Sequence, residues 1–215
     1  MQRLFPRIVL FALVCAALYT TACGDFFVSG STLDHITVTP GAVFLVKGEN
    51  LQFTANAVNV DGTSTDITSS ANWTTGNTQV ATVTAGNVTG ANVTATGNTT
   101  VTAAKGSVNG SANVVVGTSA LSTTLSLTAP NSATPSSPTV NSTTPVQLKA
   151  TGTAGTTIDL TTLVTWTSDN ANIPVSTSGL VTATSSATTS DSANITATIN
   201  TKSSSSSGTI KVTVQ

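Results

Sequence analysis

The stretch DITSSANWTTGNTQVATVTAGNVTG, residues 66–90, returns without a gap as DLTTLVTWTSDNANIPVSTSGLVTA, residues 159–183. Trp73 and Trp166 each follow the first aspartate of their stretch by seven positions, and a glycine follows each tryptophan by 13 positions. Because many spaced positions match in one register, we predict two copies of a single structural unit.

The flanks of both stretches alternate between apolar and polar residues. LQFTANA (51–57) and VQLKAT (146–151) precede them, and the copies close on SANVVVG (111–117) and TIKVTVQ (209–215). Period-two alternation favours half-buried antiparallel strands. Short strands separated by Gly, Asn and Asp turns favour a β-sandwich. The sequence therefore predicts an all-β fold.

The composition supports strands and excludes one class of partner. Only 7% of the 215 residues are charged, against about 25% in an average domain, and the abundant Thr and Val suit a pleated, half-buried surface. The formal net charge is −1, and the only arginines, Arg3 and Arg7, lie near the N-terminus. Without a basic patch for phosphates, we expect no nucleic-acid partner.

Several motifs of the first copy occur in an order typical of one family. They are ITVTP (36–40), LQFTANA, DGTSTDIT (61–68), WTTGNTQVATV (73–83), GNVTG (86–90) and NTTVTA (98–103). In this the chain resembles the group 2 bacterial immunoglobulin-like domain of intimin- and invasin-type surface proteins. The second copy matches more loosely, with NIPVS in place of QVATV and a Pro/Ser/Thr-rich insertion at 131–145. The resemblance implies two tandem Ig-like Greek-key β-sandwiches, residues 34–117 and 118–215.

Two interpretations of the tryptophans are open. The resemblance places each tryptophan in the core between the sheets, and a large aromatic side chain fills a small core that has no disulfide. The alternative is an exposed platform on which a sugar ring stacks. The core interpretation is favoured because Trp73 alternates with Ala71, and Trp166 with Val164, on one strand face.

The N-terminus reads as an export leader. A positive start and an apolar run at 8–18 are typical of a signal peptide, and the run is shorter than the roughly 20 residues that span a bilayer. TTAC (20–23) resembles the lipobox of bacterial lipoproteins, which implies a signal peptide at 1–22, lipid attachment at Cys23 and a tether at 23–33. The alternative is ordinary cleavage nearby, with Cys23 an incidental thiol. Gly24 stands where an inner-membrane retention signal has Asp, which favours the outer membrane.

No constellation of residues predicts catalysis. The only histidine is His35, and the acids Asp66, Asp159 and Asp169 are scattered, so we expect no enzyme, no catalytic residues and no cofactor. DGTSTD (61–66) spaces oxygen ligands as a calcium loop does, but an ordinary turn is the simpler interpretation, and we predict no metal site.

The predicted function is a non-catalytic one in the cell envelope. We expect an exported, lipid-anchored surface protein with a role in adhesion, display or spacing, whose partners are the membrane and a surface glycan or protein. The alternative is a carbohydrate-binding accessory protein of a polysaccharide-utilising system, which would need solvent-exposed aromatic residues. The sequence indicates no ligand-binding residues.

Overall fold

The computed structural model describes residues 32–215. The predicted signal peptide (1–22), Cys23 and most of the predicted tether (23–33) lie outside the described residues. Every regular element within 32–215 is a β-strand, which confirms the all-β prediction.

The first half of the chain contains ten strands. Their bounds are β1 Leu33–Thr39, β2 Ala42–Val46, β3 Asn50–Gln52, β4 Thr54–Asn59, β5 Ser64–Asp66, β6 Asn72–Thr75, β7 Ala81–Thr84, β8 Asn87–Gly90, β9 Gly97–Lys105 and β10 Val108–Gly117. They pair in the orders β1-β4-β5, β3-β8-β7 and β2-β10-β9-β6. β2 runs parallel to β10, and the other pairs of this half are antiparallel.

The second half repeats this arrangement strand for strand, with one exception. Its strands are β11 Ser126–Thr128, β12 Thr139–Val140, β13 Val146–Gln147, β14 Lys149–Ala154, β15 Thr156–Asp159, β16 Thr165–Ser168, β17 Leu180–Val181, β18 Ser192–Thr201 and β19 Ser205–Val214. They pair as β11-β14-β15, β13-β17 and β12-β19-β18, with β16 also on β18. The counterpart of β7 is reduced to a single bridge between Val175 and Val181.

Two segments differ from their predicted form. LQFTANA is divided at Phe53, whose N–H donates to Gly86 O at 2.8 Å, because β3 pairs with β8 while β4 pairs with β1. The insertion at 131–145 contains β12, which lies parallel to the end of β19 as β2 lies beside β10. A two-residue strand is too short to produce a periodic sequence signal.

Each half packs around its own apolar cluster. The first cluster includes Phe53, and the second includes Leu148 and Trp166. Trp166 is 8% exposed, so the core interpretation is confirmed for this residue. Trp73 packs against the first cluster but is only half-buried.

The same hydrogen-bonded brace holds the tryptophan of each half. In the first half, Asp66 Oδ1 accepts from Thr68 N at 2.8 Å, and Thr68 O accepts from Trp73 Nε1 at 2.8 Å. Thr68 Oγ1 also accepts from Ala55 N at 2.9 Å, which ties the turn to β4. The second half repeats the three bonds with Asp159, Thr161, Trp166 and Ala150. Because both indole N–H groups are engaged in this way, each ring is fixed in place by the chain itself.

Candidate functional site

Strand β2 is apolar on both faces, unlike an ordinary sandwich strand. Val43, Phe44 and Leu45 are consecutive, and none is more than 1% exposed. Val43 and Leu45 belong to the cluster of the first half, whereas Phe44 belongs to the cluster of the second half. Since successive side chains of a strand point to opposite faces, β2 is covered by its own half on one side and by the other half on the opposite side.

Strand β10 also contributes side chains to both apolar clusters. Val114 and Val116 lie in the first cluster, and Val115 between them lies in the second. In the parallel β2–β10 pair, Val115 is the register partner of Phe44. These two side chains form one apolar patch that the first half buries against the second.

Backbone pairing joins the halves at the same place. β2 runs parallel to the end of β18, with Val43 opposite Asn200 and Phe44 opposite Thr201. The two sheets therefore become one, in the order β12-β19-β18-β2-β10-β9-β6. We call the β2–β18 pairing together with Phe44 and Val115 the joint. It connects the halves through both a sheet and a core.

A groove also lies between the halves. It consists of two neighbouring cavities of about 420 and 310 Å³, which share Asn98 and Leu163 in their walls. Its walls include Asn98, Asn113, Thr157, Ile158, Asp159 and Leu163. We call this space the inter-half groove.

One carboxylate lines the inter-half groove, and it is already engaged. Asp159 lies 3.1 Å from Lys149 Nζ, and its Oδ1 accepts from Thr161 N at 3.0 Å and Thr161 Oγ1 at 2.6 Å. Partial burial opposes ionisation, but the hydrogen bonds from Thr161 and the charge of Lys149 outweigh it, so the pKa of Asp159 lies below its ordinary value. The groove therefore contains a carboxylate that stays ionised and paired.

The outer face of β16, β18 and β19 carries rows of hydroxyl groups. Register aligns Thr167, Thr196 and Thr209 in one row, and Thr165, Thr198 and Ser207 in the next. Thr196 Oγ1 and Thr209 Oγ1 are 3.0 Å apart and share a hydrogen bond. We call these six residues the hydroxyl face.

The segment DGTSTD (61–66), for which an ordinary turn is favoured over a calcium loop, contains two aspartates that each accept a hydrogen bond from the residue two positions later. Asp61 Oδ1 accepts from Thr63 N at 2.9 Å, and Asp66 Oδ1 accepts from Thr68 N at 2.8 Å. The side chains of Thr63 and Thr68 are the largest cause of the lowered pKa of the exposed carboxyls of Asp61 and Asp66, and these backbone bonds come second. Among residues 32–215, no three His, Cys, Asp or Glu side chains gather in a group that could hold a metal ion.

The other predicted residues do not meet at one site. His35 Nδ1 lies 2.8 Å from Asp34 Oδ2 on the exposed first strand. Asp169 accepts from both the backbone and the side chain of Asn194 at 2.8 Å, which fixes a loop to β18. Cys23 lies outside the described residues. Within the described part, no helix is long and apolar enough to cross a membrane.

Sequence reasoning missed Phe44 and Val115, although a signal was present. AVFLV (42–46) is a continuous apolar run, and so is the end of SANVVVG (111–117), for which alternation was predicted. The prediction of alternation was wrong there, because Val115 faces the second cluster while its two neighbouring valines face the first. Continuous apolar runs are typical of strands that are covered on both faces. These two runs thus mark the joint.

Comparison with known proteins gives one relative in sequence. No family model matches the chain. The chain is 34% identical over 180 residues to Ice-binding protein 1 of Shewanella frigidimarina (strain NCIMB 400), in an alignment that covers 78% of this chain and 19% of that protein. The chain therefore spans about one fifth of the length of that relative.

Solved structures similar to this chain include a surface-layer protein, a polysaccharide-binding protein and titin domains. Domains 5–6 of the S-layer protein SbsC are 20% identical with a TM-score of 0.36, over 86% of this chain and 99% of that one. A SusE-like surface-located polysaccharide-binding protein from the Bacteroides thetaiotaomicron heparin utilisation locus is 13% identical with a TM-score of 0.27, over 85% of this chain and 34% of that one.

Proposed function

We propose that this chain is a non-catalytic spacer and display module of the bacterial cell surface, built from two Ig-like domains, residues 34–117 and 118–215. The observation that carries the proposal is the joint. A module that holds something at a set distance needs domains that do not swing freely, and small polar contacts between domains usually permit such motion. Here a buried phenylalanine and a shared sheet connect the halves.

The attachment of this module is the second part of the proposal. We infer that the leader is removed and that Cys23 carries the lipid that holds the chain in the outer membrane. The lipobox-like TTAC (20–23) and Gly24 support this, and several acyl chains on one residue give stable anchoring where a single chain gives marginal binding. Metabolic labelling with a fatty-acid analogue tests it: the full chain takes up the label, and Cys23→Ser does not. Label retained in Cys23→Ser would exclude the anchor.

Calorimetry tests the joint. The full chain is expected to unfold in one cooperative transition, because the halves share a sheet and a core. Phe44→Ala removes the buried ring that links them, so the transition should separate into two. Val60→Ala serves as the control, since Val60 is 67% exposed and lies between β4 and β5, which pair with neither β2 nor β18. Two independent transitions in the unaltered chain would contradict the proposal.

The hydroxyl face supports a second candidate function, ice binding. The relative named for ice binding is similar over a portion of its length, and the hydroxyl face presents Thr and Ser side chains in two aligned rows on one sheet. Strands about 4.8 Å apart give such rows a regular spacing. An ice-recrystallisation assay tests this candidate. Thr167→Tyr with Thr209→Tyr should abolish any inhibition, and Val60→Tyr should leave it unchanged.

A further inference from the structure

The inter-half groove has the size of a ligand site. Its cavities of about 420 and 310 Å³ adjoin at Asn98 and Leu163. Each falls within the range of about 300–1,000 Å³ that is usual for small-molecule sites. Because its walls come from both halves, the groove exists only in the two-domain chain.

The polar side chains of the groove both donate and accept hydrogen bonds. Asn98 and Asn113 contribute amides, and Thr157 contributes a hydroxyl. Within residues 32–215, the side chains of Asn98 and Thr157 make no hydrogen bond with the chain. Thr99 Oγ1, by contrast, accepts from Asn77 N at 2.9 Å and is used in the fold. Because these free side chains can both donate and accept hydrogen bonds, they suit a ligand with hydroxyl groups, which also donate and accept.

Charge in the groove disfavours an ionic ligand. Asp159 is the only ionisable residue in its lining, and Lys149 is paired with it at 3.1 Å. No cation is left in the lining to hold a phosphate, sulfate or carboxylate. The chemistry therefore points to a neutral ligand.

Apolar side chains complete the walls. Ile158 and Leu163 line the groove, and both are half-buried against the second core. They offer fixed apolar surfaces beside the amides and hydroxyls. A sugar ring has the same combination, with hydroxyls around its edge and C–H groups on its faces.

We propose that the inter-half groove binds a neutral oligosaccharide. Asn98 and Thr157 hydrogen-bond its hydroxyls, and Leu163 contacts the C–H face of a ring. An extended peptide added to the free edge of β15 is the competing occupant. The facing wall offers the separate side-chain amides of Asn98 and Asn113, which favour scattered hydroxyls over a regular backbone. The inference rests on the proposed function because the joint holds the walls together.

Titration of the full chain with neutral hexasaccharides tests the proposal. The probes are the hexamers of glucose (α- and β-linked), xylose and N-acetylglucosamine, followed by calorimetry and by amide shifts in NMR spectra. At least one hexamer is expected to bind and to shift the amides of 95–98 and 156–159. Asn98→Ala with Thr157→Ala should weaken it at least about tenfold, as expected for the loss of two hydrogen bonds. The matched control, Asn109→Ala with Thr74→Ala, changes the same residue types at exposed positions outside the groove lining and should bind as before.

Each other outcome overturns the proposal. No binding by any hexamer, binding that survives Asn98→Ala with Thr157→Ala, or shifts confined to another surface would each exclude the sugar site. Binding of an extended Ser/Thr peptide in place of the sugars would assign the groove to a peptide. The unfolding transition of the same sample separates this result from the proposed function. A single transition without sugar binding refutes the groove alone, whereas two transitions refute the joint.

Discussion

A Cβ atom on Gly117 would overlap Cζ of Phe44. Gly117 ends β10 and Phe44 lies in the middle of β2, beside the register partner Val115. The absence of a side chain at position 117 therefore leaves the space that the Phe44 ring occupies in the joint. A glycine here permits close packing of two strands against the second half of the chain.

The first prediction is that Gly117→Ala destabilises the joint. The added methyl must displace the Phe44 ring, and overpacking of this kind costs about 1–3 kcal/mol in the free energy of unfolding. Urea denaturation followed by circular dichroism measures it. Gly41→Ala is the matched control, because a Cβ there meets no atom within 4 Å. Equal stability of the two variants would show that the ring is not confined.

The repeat and the all-β fold were predictable from the sequence. The matched positions around Trp73 and Trp166 predicted the repeated strand order, because one set of buried positions imposes one register on both copies. The all-β prediction followed from alternation at residues such as 51–57. Both predictions follow from local sequence patterns and do not depend on which distant strands pair.

The joint and the inter-half groove could not be predicted from the sequence. Which strand edge meets β2 depends on contacts between Val43 and Asn200, residues that no local pattern connects. The groove is formed where 95–98, at the start of β9, approach 156–159, the short edge strand β15. No local pattern of apolar and polar residues predicts that these two segments meet. The apolar runs AVFLV (42–46) and NVVVG (113–117) were the local signs. They indicate burial on both faces without identifying the partner strand.

A second prediction separates backbone strain from crowding at two glycines. Gly62 and Gly86 have φ angles of +82° and +80°, so alanine at either position is strained by about 1–2 kcal/mol. At Gly86 a Cβ would also meet Gln52 Nε2 at 2.5 Å and Phe53 O at 2.6 Å, whereas at Gly62 it meets nothing within 4 Å. Gly86→Ala should therefore lower the urea midpoint clearly more than Gly62→Ala. Similar urea midpoints for the two variants would mean that the residues around Gly86 move to accommodate the added methyl group at little cost.

A third prediction compares the two tryptophans. Trp166→Ala should cost about 3–5 kcal/mol in the free energy of unfolding, as large-to-small changes in cores do. Trp73→Ala should cost less, because Trp73 remains half-buried. Denaturation followed by circular dichroism avoids dependence on the indole signal. A larger loss at Trp73 would contradict the burial seen here.

Substitution by phenylalanine isolates the brace. Trp166→Phe keeps a ring in the core but leaves Thr161 O without the donor that lies 2.9 Å away. We expect a loss of about 1–3 kcal/mol in the free energy of unfolding, from a partly buried acceptor left without its donor together with a small cavity in the core. Thr167→Ala, on the exposed face of the same strand, should change stability by less than about 0.5 kcal/mol. Equal losses of stability in Trp166→Phe and Thr167→Ala would show that the hydrogen bond from Trp166 to Thr161 does not stabilise the fold.

The last prediction concerns acid. Hydrogen bonds from Asn194 to Asp169, with the backbone N–H as the largest cause, hold the pKa of this exposed carboxyl below its ordinary value of 3.8. A carboxyl whose pKa is lowered in the folded state contributes stability that is fully present above its unfolded pKa. That stability is lost as the pH falls through the lower folded-state value. The free energy of unfolding should therefore decline as the pH is lowered from about 5 to below the ordinary value.

Asp169→Asn tests the sign of this effect. The asparagine carbonyl still accepts from Asn194 N but does not titrate, so the variant should lose less stability than the unaltered chain over the same acid range. Val60→Ala, which leaves every carboxylate in place, should keep the full decline. A steeper decline in Asp169→Asn would show that the ionised carboxylate does not favour the folded state, because a stabilising carboxylate must lose its contribution as it gains a proton.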